Sequence, residues 1–220
     1  VVDLATIMTT HLSDVIRRHA HELVGRQEIQ KMLDCIKGSH PKVVEELVPN
    51  LMSLGGVVRV IQNLLQEQVP VRDLLTILET LADWTPTTKK LEILTEHVRQ
   101  ALARTITHFY QSDDGKLHVL TLDQRVEKKV AESLQQTDQG SFLAIDPALA
   151  KTIMDDLSIK MEDYKSLGVQ PLLVCSAQIR SHFKKLADRF IPGLAVLSYD
   201  EIVSRAKIQI VGTVEASDAD

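Results

Sequence analysis

The stretch VPVRDLLTILETLADWTP, Val69 to Pro86, constrains the fold most, because it states a helix start, a packed face and a stop within eighteen residues. Pro70 fixes the chain before the helix, and Asp73 brings a carboxylate to its first turn, where the helix dipole favours negative charge. Leu74, Ile77, Leu78 and Leu81 recur at i, i+3, i+4 and i+7, which makes one apolar stripe. Glu79 and Asp83 lie off the stripe, and Pro86 discourages helix from Thr85 onward. A chain built around such a segment packs helices against one another. The segment names no chemistry.

The same periodicity extends on both sides. Asp3 is a plausible N-cap for a helix carrying Leu4, Ile7, Met8, Leu12, Val15 and Ile16 on one face and reaching about Leu23. Gly25 breaks it. Arg26 to Ile36 is expected as a second helix, Gly38 to His40 as a turn, and Pro41 as the first position of a short helix that Pro49 ends. Val57 to Gln66 and Leu91 to His108 complete the helical layer, with Gly55-Gly56 read as a turn before the first of them.

After Asp113-Asp114-Gly115, a turn signal, the period changes. KLHVLTL, Lys116 to Leu122, alternates as a strand, with Leu117, Val119 and Thr121 opposed to His118, Leu120 and Leu122. Helix is expected over Asp123 to Gln136, a short apolar piece over 141 to 145, helix from Asp146-Pro147 to Leu167, and strand in PLLVCS, 171 to 176. Helix Ala177 to Phe190, strand Leu194 to Ser198, a short helix after Tyr199 and strand Lys207 to Val211 follow. The expected class is α+β, an all-helical subdomain and then a small α/β subdomain with a mixed sheet. The expected domains are an end helix over 1–24, the helical subdomain over 25–110, the α/β subdomain over 111–214 and an acidic tail over 215–220.

Composition excludes some classes of function. The net charge is −5, with 12 basic against 13 acidic residues through Tyr110 and 13 against 17 beyond it, so neither half is a basic nucleic-acid surface. Aromatic residues make up 4% of the chain, too few for a platform that stacks bases. Cys35 and Cys175 are expected as two reduced core thiols, which suits a cytoplasmic setting. No apolar run approaches the roughly 20 residues of a spanning helix. The chain begins at Val1 without an initiator Met, and it is read as a soluble fragment of a longer protein.

Candidate chemistry is sparse. His11, His19 and His21 invite a metal, but His11 and His19, close to the same helix face, are about two turns apart, too far for one ion to bridge without a third element, and no CxxC, HExxH or carboxylate–His pair supports them. Gly55-Gly56 lies before an apolar helix, yet no GxxxxGK[ST] or GxGxxG occurs. There is no G-x-S-x-G, and Glu45-Glu46, Asp113-Asp114 and Asp155-Asp156 suit solvated faces and turns better than acid–base work. No catalytic residue, cofactor or metal site is expected.

Three stretches carry a resemblance: HELVGRQEIQKMLD (His21 to Asp34), ELVPNLMSLGGVVRVIQNLLQEQVPVRDLLTILETLAD (Glu46 to Asp83) and LTEHVRQALARTI (Leu94 to Ile106). In this order and at these separations they resemble the C-terminal cytoplasmic region of the FlhA family, the flagellar type III export-gate proteins. Injectisome export-gate proteins share much of the pattern. The likeness is strong from Val1 to Ile106 and continues to Val214. Ala103 and Trp84 depart from it, standing where Gly and where Tyr or His are common in the family.

The resemblance implies a docking protein rather than an enzyme. Such a protein receives flagellar export chaperones with their clients and soluble export-apparatus components at the cytoplasmic face of the bacterial inner membrane, and forms a nonameric ring below the membrane channel. It implies a membrane domain upstream of Val1, and no nucleic-acid partner. The stretch matching Val2 to Leu12 belongs to the subdomain whose hydrophobic cleft receives chaperones. Ile7, Met8 and Thr10 are therefore candidate chaperone-binding residues, with ordinary core packing as the competing reading. Arg72, Asp73, Arg99 and Arg104 are candidates for ring contacts, with solvated helix faces as theirs. The alternatives to a flagellar gate are the virulence injectisome counterpart and, from another class, an unrecognised α/β enzyme.

Overall fold

The computed structural model describes residues 3–137 and 140–216, and their contacts divide into two units, one through Ile106 and one from Thr107.

The first unit is helical. Helices α1 (Leu4–Arg18), α2 (Ala20–Leu23), α3 (Arg26–Ser39) and α4 (Pro41–Glu45) lead into a wide helical turn, Glu46–Leu51. Helices α5 (Leu54–Gln66), α6 (Leu74–Trp84), α7 (Leu91–Ala101) and the start of α8 (Ala103–Tyr110) follow. The stripe read in α6 is the packed one: Leu74, Ile77, Leu78 and Leu81 are buried. They share a core with Ile29 and Leu33 of α3, Val57, Ile61 and Leu64 of α5, and Leu94 and Val98 of α7. Each such aliphatic side chain stabilises the fold by about 1.5–3 kcal/mol relative to exposure.

Several boundaries differ from the expectation, for local reasons. The first helix stops at Arg18, and a second short one starts at Ala20. Helix α3 runs through Gly38 to Ser39 instead of turning there, and Pro49 lies inside the wide turn, not at a stop. Gly55 and Gly56 are in the first turn of α5, because the Ser53 hydroxyl accepts a hydrogen bond from the Gly56 amide at 3.2 Å and starts the helix three residues early. A Cβ on Gly56 would sit 2.8 Å from Met52 Cγ, so the close approach of Met52 depends on that glycine. Cys35 is exposed on α3, while Cys175 is buried, and both are free thiols; the expectation of two core thiols fails for Cys35.

The second unit is α/β. Strands β1 (Lys116–Leu122), β4 (Leu172–Cys175), β5 (Ala195–Ser198) and β6 (Lys207–Val214) form an all-parallel sheet in the order β5-β4-β1-β6. A separate antiparallel hairpin joins β2 (Leu134–Thr137) to β3 (Gly140–Leu143). The alternation expected in β1 slips where the pairing with β6 shifts register between Val119 and Leu120, so that both residues are buried. Helix α9 (Gln124–Glu132) ends before β2, which had been expected as the end of that helix.

Helices α10 (Pro147–Leu167) and α11 (Ala177–Ala187) complete the unit. Asp146 caps α10 by accepting from the Ala148 and Leu149 amides at 3.0 Å each, and Gly168, at φ +65°, closes it in the left-handed conformation. The core joins Leu120, Val130, Leu157, Leu173, Ile179 and Phe183. Buried Arg180 has its Nε 3.5 Å from Oε1 of buried Glu201, and the half-buried Glu127 carboxylate accepts from the Ser176 amide.

Candidate functional site

None of the residues of helix α1 is buried, although the helix runs for 15 residues. Its sequence forms a helix readily. Asp3 Oδ1 accepts from the Thr6 amide at 2.9 Å, Arg17 and Arg18 sit in the last turn, and the apolar residues keep helical spacing. The Thr6 amide holds the Asp3 carboxyl below its ordinary range. Among the described residues that apolar face is left open: Leu4 is 72% exposed, Met8 64%, Leu12 60% and Ile7 52%. Six large apolar side chains, from Leu4 to Ile16, thus line one exposed stripe.

Thr10 lies one turn beyond Ile7, at the margin of the stripe. Its hydroxyl donates to the Thr6 carbonyl at 2.9 Å. A partner covering Thr10 would therefore meet a methyl group and an already satisfied hydroxyl, with no polar group to strip of water unpaired. The competing reading of Ile7, Met8 and Thr10 as ordinary core finds no support among the described residues, since all three are exposed.

The four candidate ring charges divide. Arg72 and Arg104 are exposed, the first before α6 and the second on α8. Asp73 is exposed and is the N-cap of α6, accepting from the Thr76 amide at 3.2 Å and the Thr76 hydroxyl at 2.8 Å. Arg99 is different. It is 1% exposed, and its Nη1 lies 3.1 Å from Glu67 Oε2, so it is an interior residue and not a solvated helix face.

One of the histidines read as metal candidates is engaged with a carboxylate. His19 Nδ1 is 2.8 Å from Glu22 Oε1, an i, i+3 carboxylate–histidine pair that the sequence reading had denied. Among the described residues, no group of three or more His, Cys, Asp or Glu side chains could hold a metal ion. Trp84 stacks on the His97 ring with centroids 3.6 Å apart and planes 8° from parallel, which ties α6 to α7.

Two concave features escaped the sequence reading. One, of about 630 Å³, lies at the start of α5 and brings together Arg26, Arg59 and Lys89, with Lys89 Nζ donating to the Leu51 carbonyl at 2.8 Å. These cations beside the first amides of a helix suit a carboxylate. The other lies between β3 and α11 in the second unit. Neither has a linear signature, because its residues come together only through the fold.

Comparison with known proteins gives this arrangement its context. The FHIPEP family matches residues 1–207. The flagellar biosynthesis protein FlhA of Bacillus subtilis is 40% identical over 215 residues, covering 98% of this chain and 32% of the relative. The chain thus spans about a third of that relative's length. The nonameric SctV-C of EPEC superimposes with a TM-score of 0.84 at 31% identity, over 95% of this chain and 63% of that one. The Chlamydia pneumoniae CdsV protein, solved in complex with CdsO, gives a TM-score of 0.80 at 30% identity, over 96% of this chain and 60% of that one. Among the described residues, no helix is long and apolar enough to cross a membrane.

Proposed function

Since the chain belongs to the FHIPEP family, as its match over residues 1–207 establishes, we propose that it is part of the cytoplasmic docking platform of a flagellar type III export gate. It receives export chaperones carrying their clients, together with soluble export components, at the cytoplasmic face of the inner membrane. The observation that carries this reading is the uncovered apolar stripe of α1, with Ile7, Met8 and Thr10 on it or at its margin. Burial of such side chains stabilises a complex by roughly 25 cal/mol per Å² of apolar area, so a chaperone–client surface that covers the stripe gains affinity without needing a catalytic group.

The same chain self-associates into a ring below the membrane channel through exposed polar residues, Arg72, Asp73 and Arg104, while buried Arg99 holds the helix behind them. Support comes from the nonameric assembly of SctV-C, and the complex of CdsV with CdsO is the precedent for a soluble partner. A flagellar rather than an injectisome system is favoured by the higher identity to the flagellar relative, 40% against 31%. No step of the reading calls on a cofactor, and the role is docking, not chemistry.

Photo-crosslinking tests the assignment. A benzophenone side chain placed at Met8 in the full-length protein should capture a flagellar chaperone loaded with client, and one placed at Glu79, on the exposed side of α6, should not. Equal capture at both positions would remove α1 as the docking surface.

A further inference from the structure

Three cationic side chains from separate parts of the first unit converge on the start of α5. Arg26 is the first residue of α3, Arg59 belongs to α5 and Lys89 precedes α7, and together they line the pocket of about 630 Å³. Arg59 lies four residues after Gly55, so both stand on one face of α5, and a long helical side chain leans toward the N-terminal end of its helix. Arg26 reaches the same glycine: a Cβ on Gly55 would be 3.3 Å from Arg26 Nη2. Lys89 is held by its Nζ, which donates to the Leu51 carbonyl at 2.8 Å and keeps two further donors on the ammonium.

The positive charge gathered here is uncompensated. A helix start favours carboxylates, yet α5 has no acidic residue in its first turn, and among the described residues no carboxylate side chain lines the pocket. Among the described residues, too, neither Arg26 nor Arg59 forms an ion pair. These three side chains define the site, and the helix end only adds to it. Its floor is apolar: Met52 is buried, with half-buried Leu51 and Leu91 beside it.

We propose that this pocket binds a short acidic segment of a partner protein, with carboxylates facing Arg26, Arg59 and Lys89 and one apolar side chain over Leu51, Met52 and Leu91. Charge complementarity and the mixed lining select the occupant. A guanidinium takes a carboxylate in a two-point contact, and two guanidiniums with an ammonium beside them suit two or three carboxylates close together in one segment. A free inorganic anion would leave the apolar floor in water, and a nucleic-acid strand follows a basic track rather than three cations around one point. The site lies wholly in the first unit, contains no residue of α1 and does not depend on the α1 reading.

The test uses a fluorescent peptide with blocked ends and one leucine between two pairs of glutamates, and its counterpart with glutamine in place of glutamate. The glutamate peptide should bind the chain about tenfold more tightly, since each exposed ion pair adds a few-fold, and should lose most of that advantage as salt rises from about 50 mM to about 500 mM. Arg26→Gln and Arg59→Gln should each reduce the preference about threefold, and the double variant should bring the two peptides to within about twofold of each other. Arg59→Gln exchanges one good helix former for another at an exposed position, so its thermal midpoint should match the wild type and its result stands even where Arg26→Gln disturbs the start of α3. Absence of glutamate-peptide binding at millimolar concentration, equal binding of the two peptides, or an undiminished preference in the Arg59→Gln protein would each overturn the proposal. Displacement of the peptide by inorganic phosphate at micromolar concentration would also overturn it, by assigning the pocket to a free oxyanion. So would phosphatidylserine vesicles that bind the chain through Arg59 while the glutamate peptide does not.

Discussion

Arg99 and Glu67, thirty-two positions apart, form an ion pair at 3.1 Å between Nη1 and Oε2, with the arginine side chain 1% exposed and the glutamate 20%. The pair joins α7 to the end of α5. Removing one partner of an interior pair takes the nearest opposite charge from the other, which costs more than the intact pair contributes. Arg99→Ala should therefore destabilise the first unit by about 3 kcal/mol, near the low end of the range for buried pairs because Glu67 keeps some contact with water. Arg99→Met, similar in length and without charge, should cost less when combined with Glu67→Gln. Denaturant titration of the two proteins checks this, and equal stability of Arg99→Ala and the wild type would contradict it.

In the second unit, Tyr164 on α10 has its hydroxyl 2.7 Å from the His118 carbonyl and 3.2 Å from the Leu172 carbonyl, between β1 and β4. Burial pushes its phenol well above the ordinary range, so the donor stays protonated. Tyr164→Phe keeps the ring and leaves both carbonyls short of that donor. It should cost about 1–2 kcal/mol, which in a unit of roughly 100 residues lowers the thermal midpoint by about 4–16 °C. An unchanged midpoint would mean that water replaces the hydroxyl.

The start of α1 is sensitive to acid. The Thr6 amide holds the Asp3 carboxyl below its ordinary value. A group whose pKa is depressed in the helix contributes at pH above its unfolded value, about 3.9, and the contribution is lost as pH falls through the lower folded value. Helicity at Ala5 to Met8 should be constant above about pH 5 and fray on acidification below about pH 4. Backbone chemical shifts measure this. The Asp3→Asn protein, which keeps a capping side chain without a titrating group, should lack the local transition.

Assembly should depend on concentration. The exposed residues offered for ring contacts, Arg72, Asp73 and Arg104, are polar, and contacts of that kind are weak and sensitive to salt. Sedimentation of the free chain should give a monomer at micromolar concentration. Anchoring many copies by a membrane domain raises the local concentration toward the millimolar range of short tethers, and the full-length protein in detergent should image as a ring with residues 25–110 at the contacts. Arg104→Glu should lower the fraction of closed rings. A stable closed dimer of the free chain would contradict the account.

Legibility in the sequence follows the range of the interactions. Helix α6 is readable because its stripe and stop are local, but its start, expected at Val71, falls at Leu74, with Asp73 as the N-cap and not in the first turn. The start of α5 is misread because Gly55-Gly56 looks like a turn until the Ser53 cap and the packing of Met52 are known. Strand β2, LQQT, has no β-branched alternation and is made a strand by pairing with β3. Arg99 looks like any helical arginine, because its partner lies on another helix. For the candidate site, the apolar face of α1 is legible from its spacing, but not that it lies uncovered. The groove between β3 and α11 joins residues 41 positions apart through the Ser141–His182 contact and has no linear signature.

The most direct measurement of the central claim is a calorimetric titration of a flagellar chaperone–client complex into the full-length protein, with Thr10→Asp, Ile7→Asp and wild type compared. Thr10 and Ile7 are both exposed on α1, so either substitution should leave the fold and its unfolding transition intact. A carboxylate at either position has to be desolvated without a partner when the chaperone covers the stripe, a penalty of about 1–3 kcal/mol, or roughly five- to 150-fold in Kd. Weakened binding by both variants with unchanged folding is the result this account predicts. Thr10→Asp and Ile7→Asp proteins that fold normally and bind the loaded chaperone as tightly as wild type would contradict it.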